Sequence, residues 1–304
     1  MRKARPKNKR LFALSQQFGL VATAKPRQEL EKIIQASQGF LDVNVWRDKL
    51  SELETQVCRI EIGGNPQGTG FLVGSNTVMT NYHVIEKIMK GQASPDDVLV
   101  RFDFKIVAIG DRKERQMGTT YALDSAEWLV DKSPYSLIDT LTLDQKQGDP
   151  EPNELDFAVL RLAKRVAELP VIDVPNQDTP RPKRGFVKVD DFSAEPAPPE
   201  VHTAPNDTIF ILQHPRGKPL KLNFNTIKDK NGNQTRIRYT TNTEPGSSGS
   251  PCFDRNWRLV ALHHSGDPAF SPVFNEGIPL QAIVDLLKQN GTYKTAIGKQ
   301  TQQF

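Results

Sequence analysis

Short apolar runs separated by turn residues dominate residues 56 to 280, and this pattern restricts the chain to a mainly β fold. A first set of runs comprises Gln56–Gly63, Gly68–Gly74, Thr77–Asn81, Asp97–Asp103, Ala126–Asp131 and Leu155–Leu162. Six strands suffice for one small antiparallel barrel, here spanning residues 56–175. A second set comprises Thr208–His214, Leu220–Lys228, Arg236–Thr241, Pro251–Asp254, Arg258–Ser265 and Phe274–Ile278, a second barrel within residues 208–290. Between them, residues 176–207 carry Pro180, Pro182, Pro196, Pro198, Pro199 and Pro205, which favour an extended connection. Residues 104–153 are longer than a barrel connection requires and read as an insertion whose role the sequence does not show.

Helical spacing is confined to the flanks. Leu30, Ile33 and Ile34, then Val45, Trp46, Leu50, Leu53 and Val57, predict two helices over residues 26–55. Leu280, Ile283, Val284, Leu286 and Leu287 predict a terminal helix from Pro279 to Gln289, packed on the body. Residues 1–25 and 291–304 read as tails.

Three segments carry chemistry. Glu244-Pro245-Gly246-Ser247-Ser248-Gly249-Ser250-Pro251 can hold a serine hydroxyl beside inward-pointing backbone N–H groups, although such a loop can equally be a plain turn. A serine needs a base to take its proton and a third group to orient the base. Thr80-Asn81-Tyr82-His83-Val84 supplies a histidine after a short strand, and Asp156-Phe157-Ala158-Val159-Leu160 supplies an aspartate opening an apolar one. Each is weak alone, and in the order His, Asp, Ser they form a specific constellation.

Over roughly residues 55 to 290 these motifs resemble the chymotrypsin-like serine peptidases, and within them the bacterial branch of glutamyl endopeptidases and HtrA-type proteases. The resemblance implies a double antiparallel β-barrel with His83 and Asp156 on the first barrel and Ser248 on the second. It also implies Ser248 as nucleophile, His83 as general base, Asp156 as its orienting carboxylate, and the Gly246 and Ser248 N–H groups as the oxyanion hole. Pocket positions follow from their offsets to Ser248. Asn242 stands where basic specificity would use an aspartate, so cleavage after Lys or Arg is not supported. Thr243 and His263, followed by His264, Ser265 and Gly266, resemble the positions with which glutamyl endopeptidases hold an acidic side chain. Cleavage after Glu or Asp is the expectation, and a core histidine at 263 or 264 is the competing reading.

Composition sets the remaining bounds. With 304 residues and 37% hydrophobic content the chain can bury a sizeable core, and no run approaches the length of a membrane span. The formal charge of +4 owes six positive charges to Arg2, Lys3, Arg5, Lys7, Lys9 and Arg10. The Leu11–Ala24 segment behind them is interrupted by Ser15, Gln16 and Gln17, so a solvated tail is expected rather than a secretion signal cut at Ala22-Thr23-Ala24. The tail lacks aromatic interleaving, and nucleic-acid binding is not supported. Cys58 and Cys252 read as small buried apolar residues, which suits a reducing, cytoplasmic setting, with a secreted or periplasmic one as the alternative. No spacing suggests a metal site, and no cofactor is expected. Arg59-Ile60-Glu61-Ile62 reads as the first strand and not as a zymogen cleavage site. Control is therefore expected from the N-terminal helices, from residues 104–153, or from an activating protein partner that orders the Ser248 loop. The alternative to a polypeptide-cleaving enzyme is a silent pseudoprotease that uses the same cleft to bind peptides.

Overall fold

The computed structural model describes residues 40–142, 144–171, 182–191, 201–266, 269 and 272–298. The basic tail, the first expected helix and parts of the proline-rich connection lie outside the described residues. The N-terminal half is built from β1 (Val57–Ile62), β2 (Asn65–Leu72), β3 (Thr77–Thr80), β4 (Val98–Phe102), β5 (Lys105–Ile109), β6 (Arg112–Gln116), β7 (Thr119–Ala122), β8 (Leu129–Ser133) and β9 (Phe157–Arg161). Seven of these form one antiparallel sheet in the order β7-β4-β1-β2-β3-β9-β8, and β5 pairs only with β6. A six-stranded barrel was expected here, and β7, β4, β1, β2, β3 and β9 supply it: the bridge Leu123–Leu162, with the Asp124 N–H on the Arg161 carbonyl at 2.9 Å and the Ala163 N–H on the Ala122 carbonyl at 3.1 Å, joins the end of β7 to the end of β9. Residues 104–153 supply β7 and β8 and add the β5–β6 ribbon.

Burial explains the strand assignments. β4 buries Val98, Val100 and Phe102 and half-buries Leu99 and Arg101, the period-two pattern of a strand with one face on a core. β9 is buried on both faces. Its Phe157 and Val159 enter a cluster shared with the C-terminal half, while Ala158 and Leu160 fill the interior of the first sheet.

The C-terminal half is a closed barrel of β10 (Thr208–Gln213), β11 (Lys221–Lys230), β12 (Ile237–Tyr239), β13 (Pro251–Phe253), β14 (Leu259–Gly266) and β15 (Asn275–Pro279). The strand order is β10-β11-β12-β15-β14-β13, closed by the pairs Phe210–Phe253 and Ile211–Cys252. The barrel interior holds Ile209, Ile211, Ile227, Ile237, Tyr239, Cys252, Val260 and Ala261. Cys58 and Cys252 are both buried and free, and burial pushes both thiols up, Cys252 to about 12, which leaves them unreactive fillers.

Among the described residues, four α-helical segments flank these strands: α1 (Val43–Gln56), α2 (Glu86–Met89), α3 (Leu280–Gln289) and α4 (Tyr293–Ala296). α1 sets Trp46 against Phe210 and Trp257 at ring separations of 5.7 and 4.8 Å, and the Trp257 indole donates to the Trp46 carbonyl at 3.1 Å. α3 buries Leu280, Ile283, Val284 and Leu287, one stripe of an amphipathic helix. Residues 291–298, expected as tail, instead pack on the first sheet because Ala296 and Ile297 supply apolar surface to the shared core. Thr77 Oγ1 donates to the Ala296 carbonyl at 2.7 Å, and the Gly298 N–H donates to the Val73 carbonyl at 2.9 Å. Within the connection, Arg184 is fully buried and grips Asp103 with two hydrogen bonds of 2.9 and 2.6 Å. No described helix is long and apolar enough to cross a membrane.

Candidate active site

β3 ends at Thr80, and the chain turns at once into a single 3-10 turn, His83–Ile85. Asn81, fully buried, fixes that turn by donating from Nδ2 to the Asp156 carbonyl at 2.8 Å. Asp156 sits immediately before β9 with φ at +43°, a left-handed conformation that costs a non-glycine residue on the order of 1 kcal/mol. Its N–H is satisfied by the Pro134 carbonyl at 3.0 Å. The twist aims the carboxylate at His83. Oδ1 accepts the His83 backbone N–H at 2.9 Å, and Oδ2 lies 2.6 Å from Nδ1. A carboxylate facing Nδ1 keeps a proton there and leaves Nε2 as the basic nitrogen. The His83 side chain is 33% exposed, whereas that of Asp156 is wholly buried.

The Ser248 loop rests on β2. Thr69 donates its N–H to the Ser248 carbonyl at 2.8 Å and its hydroxyl to the Gly246 carbonyl at 2.8 Å. Gly68 lies between the Ser248 carbonyl and the Val84 side chain, so the loop and the His83 turn meet across one residue of β2. Glu244 to Ser247 form a β-turn closed by the Ser247 N–H on the Glu244 carbonyl at 2.9 Å. Proline at its second position and Gly246 at φ +94° in its third give type II geometry. This turn rotates the Gly246 N–H outward. Among the described residues neither that N–H nor the Ser248 N–H has an intramolecular acceptor. The Ser248 hydroxyl is not hydrogen-bonded to His83 among the described residues, a bond that commonly tightens only when substrate fills the site.

The adjacent histidines on β14 have separate surroundings. His263 points into the barrel, where Nδ1 lies 2.7 Å from the Tyr239 hydroxyl, and burial lowers it to about 3, so the ring is neutral. Its backbone also locks the Ser248 loop, accepting from the Gly249 N–H at 2.9 Å and donating to the Ser250 carbonyl at 2.8 Å. His264 was expected to line the substrate pocket, and the structure corrects this. The ladder between β14 and β15 slips between His263 and Ser265, a bulge centred on His264. Its side chain lies behind Asp156 instead, with Nδ1 2.7 Å from Asp156 Oδ2 and Nε2 3.2 Å from Asp139 Oδ2. Burial alone would lower His264, but the hydrogen bonds and charges of Asp139 and Asp156 outweigh it and raise it to about 9. Burial would likewise raise both aspartates. The charge of His83 and the hydrogen bond from His264 lead the effects that hold Asp156 at about 2, and His264 with Arg236 keeps Asp139 well below the usual carboxylate range.

Among the other expected pocket residues, Asn242 is exposed, with its carbonyl accepting from Gln213 and Asn223, each at 3.1 Å. Thr243 and Ser265 are half-buried, and Gly266 ends β14 in exposed backbone. Asp139, Arg236, Thr69 and Tyr239 complete the surroundings without having been expected. The ligand-type atoms of His83, Asp156 and His264 lie within 4.8 Å of one another, but they face each other in hydrogen bonds, an arrangement that already occupies them.

A closed six-stranded barrel beside a second antiparallel sheet whose ends meet at the Leu123–Leu162 bridge, with the histidine and aspartate on that sheet and a serine loop on the barrel, defines the double-barrel class of serine peptidases. The sequence profile of a trypsin-like peptidase domain matches residues 68–262, and the chain belongs to that family of hydrolases. An uncharacterized protein, y4fB, from Sinorhizobium fredii is 26% identical over 229 residues, covering 70% of this chain and 28% of that protein. The chain thus spans little more than a quarter of the length of this relative. A serine endoprotease from Yersinia pestis shares the fold with a TM-score of 0.50 at 13% identity, over 85% of this chain and 70% of its own. Rv3671c from M. tuberculosis, in an inactive serine-to-alanine form, superposes with a TM-score of 0.46 at 17% identity, over 84% of this chain and 97% of its own.

Proposed function

We propose that the protein is a serine endopeptidase in which Ser248 attacks the scissile carbonyl, His83 takes and returns the proton, and Asp156 holds the imidazole. The observation that carries this reading is the conjunction of the His83–Asp156 bond with a type II turn that leaves the Gly246 and Ser248 N–H groups without internal partners. Two such unpartnered donors two residues apart suit a developing oxyanion. The hydroxyl would form the acyl-enzyme, and His83 would then activate water to release it. Substrate would enter as an added strand along Ser265 and Gly266.

An acidic residue before the scissile bond is the preferred specificity. Thr243 offers a half-buried hydroxyl, and His263 offers a neutral ring that would bind a carboxylate by hydrogen bonding rather than by full charge. This requires the Tyr239 hydroxyl to give its one proton to Nδ1 and not to the Glu276 carbonyl 3.1 Å away, so that Nε2 carries the ring proton. Labelling of the wild type with a fluorophosphonate, absent in Ser248→Ala and in His83→Ala, is the expected result. A peptide library should then report cleavage after Glu or Asp, weakened by Thr243→Val. Equal labelling of Ser248→Ala would overturn the nucleophile assignment, and cleavage indifferent to acidic residues would overturn the specificity.

A further inference from the structure

Behind the catalytic aspartate runs a buried chain of alternating charge that the peptidase mechanism does not require. Arg236 binds Asp139 through two hydrogen bonds, Nε to Oδ1 at 3.0 Å and Nη2 to Oδ2 at 2.7 Å, and both side chains are almost fully buried. Asp139 sits in a 3-10 turn, Leu137–Thr140, within the 104–153 insertion, and Oδ2 accepts the Ser136 N–H at 3.3 Å, which fixes its rotamer. His264 stands between Asp139 and Asp156 with a side-chain exposure of 4%.

Each ring nitrogen of His264 faces a carboxylate oxygen. An ionised carboxylate only accepts, so Nδ1 must carry a proton toward Asp156. The same holds at Nε2, which is buried and 3.2 Å from Asp139, close enough for charge pairing though off the line of a good hydrogen bond. Both carboxylates stay ionised, because Arg236 neutralises Asp139 and His83 donates to Asp156. Two acceptors on two nitrogens make the ring an imidazolium.

We propose that His264 is a positioning residue, a buried imidazolium that holds Asp156 in place for His83 and by its charge keeps His83 unprotonated, and so able to act as a base, at lower pH. His83 and His264 share the same Asp156 oxygen, and their ring centres are 6.2 Å apart. Protonating His83 therefore places a second cation beside the first. At an effective dielectric constant of about 20, that repulsion corresponds to about two pH units. The groups facing this pair are Asp156 before β9, Glu86 on α2 with its partner Lys90, Asp139 and Tyr135 of the insertion, Arg236 beside β12, and His263 on β14. Asp139 and Arg236 cancel each other, His263 is neutral, and Asp156 and Glu86 act on His83 whether or not His264 is present, so the charge of His264 is what the neutral replacements remove.

The inference rests on the peptidase reading of Ser248 and His83. Two neutral replacements test it. His264→Asn keeps an N–H toward Asp156, and His264→Ser keeps a hydroxyl. The fluorophosphonate labelling rate is followed from pH 4 to 9 in all three proteins, together with the histidine ring titrations by ¹⁵N NMR. In the wild type at pH 7 both His264 nitrogens should be protonated. In the folded variants the acid limb of labelling and the His83 ring titration should move upward by about two pH units, with the plateau rate of His264→Asn changed only a few-fold. A wild-type His264 protonated on one nitrogen, or an acid limb and His83 titration that coincide in wild type and folded variants, would overturn the proposal. Absence of labelling in the folded wild type would instead remove the peptidase reading, and the His83 titrations would still decide the charge effect. If neither variant folds, the protonation of wild-type His264 decides.

Discussion

Adding one methyl group at position 249 should separate the fit of the nucleophile loop from the stability of the fold. Gly249 has φ at +85°, and a Cβ built there would lie 2.1 Å from the Thr69 carbonyl oxygen and 2.4 Å from Thr80 Oγ1. The first contact is with backbone and intrudes about 1 Å beyond what Cβ atoms tolerate, so the loop must lift off β2 by a similar distance. That would strain the two bonds from Thr69 to the Ser248 and Gly246 carbonyls. A displacement of about 1 Å at reacting groups typically costs a factor of about 100 in rate. Overpacking and the left-handed conformation together cost about 2–4 kcal/mol. Gly291 provides the matched control, with φ at +74° and nothing within 4 Å of its added Cβ. Gly291→Ala should lose only about 1 kcal/mol and label at the wild-type rate. Second-order fluorophosphonate labelling rates and urea midpoints read both effects. A Gly249→Ala protein that labels as fast as wild type, or a Gly291→Ala protein that labels as slowly as Gly249→Ala, would refute the link between this contact and the placement of the Gly246 and Ser248 N–H groups.

Three other outcomes are expected. His264 is higher when folded, about 9 against 6.5 unfolded, so its stabilisation is complete below pH 6.5 and is lost as pH rises through 9. Urea midpoints should reflect a loss of about 3 kcal/mol across that window, and His264→Asn should lack this alkaline decline. Asp156 is depressed from 3.8 to about 2, so its contribution is present above pH 4 and disappears as pH falls through 2, with Asp156→Asn showing a flatter acid limb of stability. Arg184→Met should destabilise by about 3–5 kcal/mol, because it strands the buried Asp103 carboxylate, while Arg184→Met with Asp103→Leu should recover much of the loss. Denaturant unfolding of the two proteins measures the difference.

Strands with a buried face were legible because apolar residues repeat every second position or run unbroken, as in β4 and β9. The β5–β6 ribbon was not, since Arg112 to Gln116 are polar throughout, on a strand with no core face. His83, Asp156 and Ser248 were legible because each ends or opens a recognisable segment. Separating His263 from His264 was beyond one dimension: neighbours on a strand face opposite ways, and a bulge decides how far each is turned. Nothing near Asp139 or Arg236 in sequence marks them as neighbours of Asp156. They meet only when the insertion folds over the barrel wall, through bonds such as that from Arg236 to the Glu154 carbonyl at 2.7 Å.

α1 leans on the C-terminal barrel through Trp46, while residues 293–298 close over the N-terminal sheet at Val73 and Thr77. Each half is thus finished by a segment drawn from the far side of the sequence. The N-terminal sheet cannot reach its final packing during synthesis until residues 293–298 have emerged, and contacts of such wide sequence separation slow folding. The expected consequence is a His83–Asp156 pair that settles late, missing from a nascent chain cut short before residue 293.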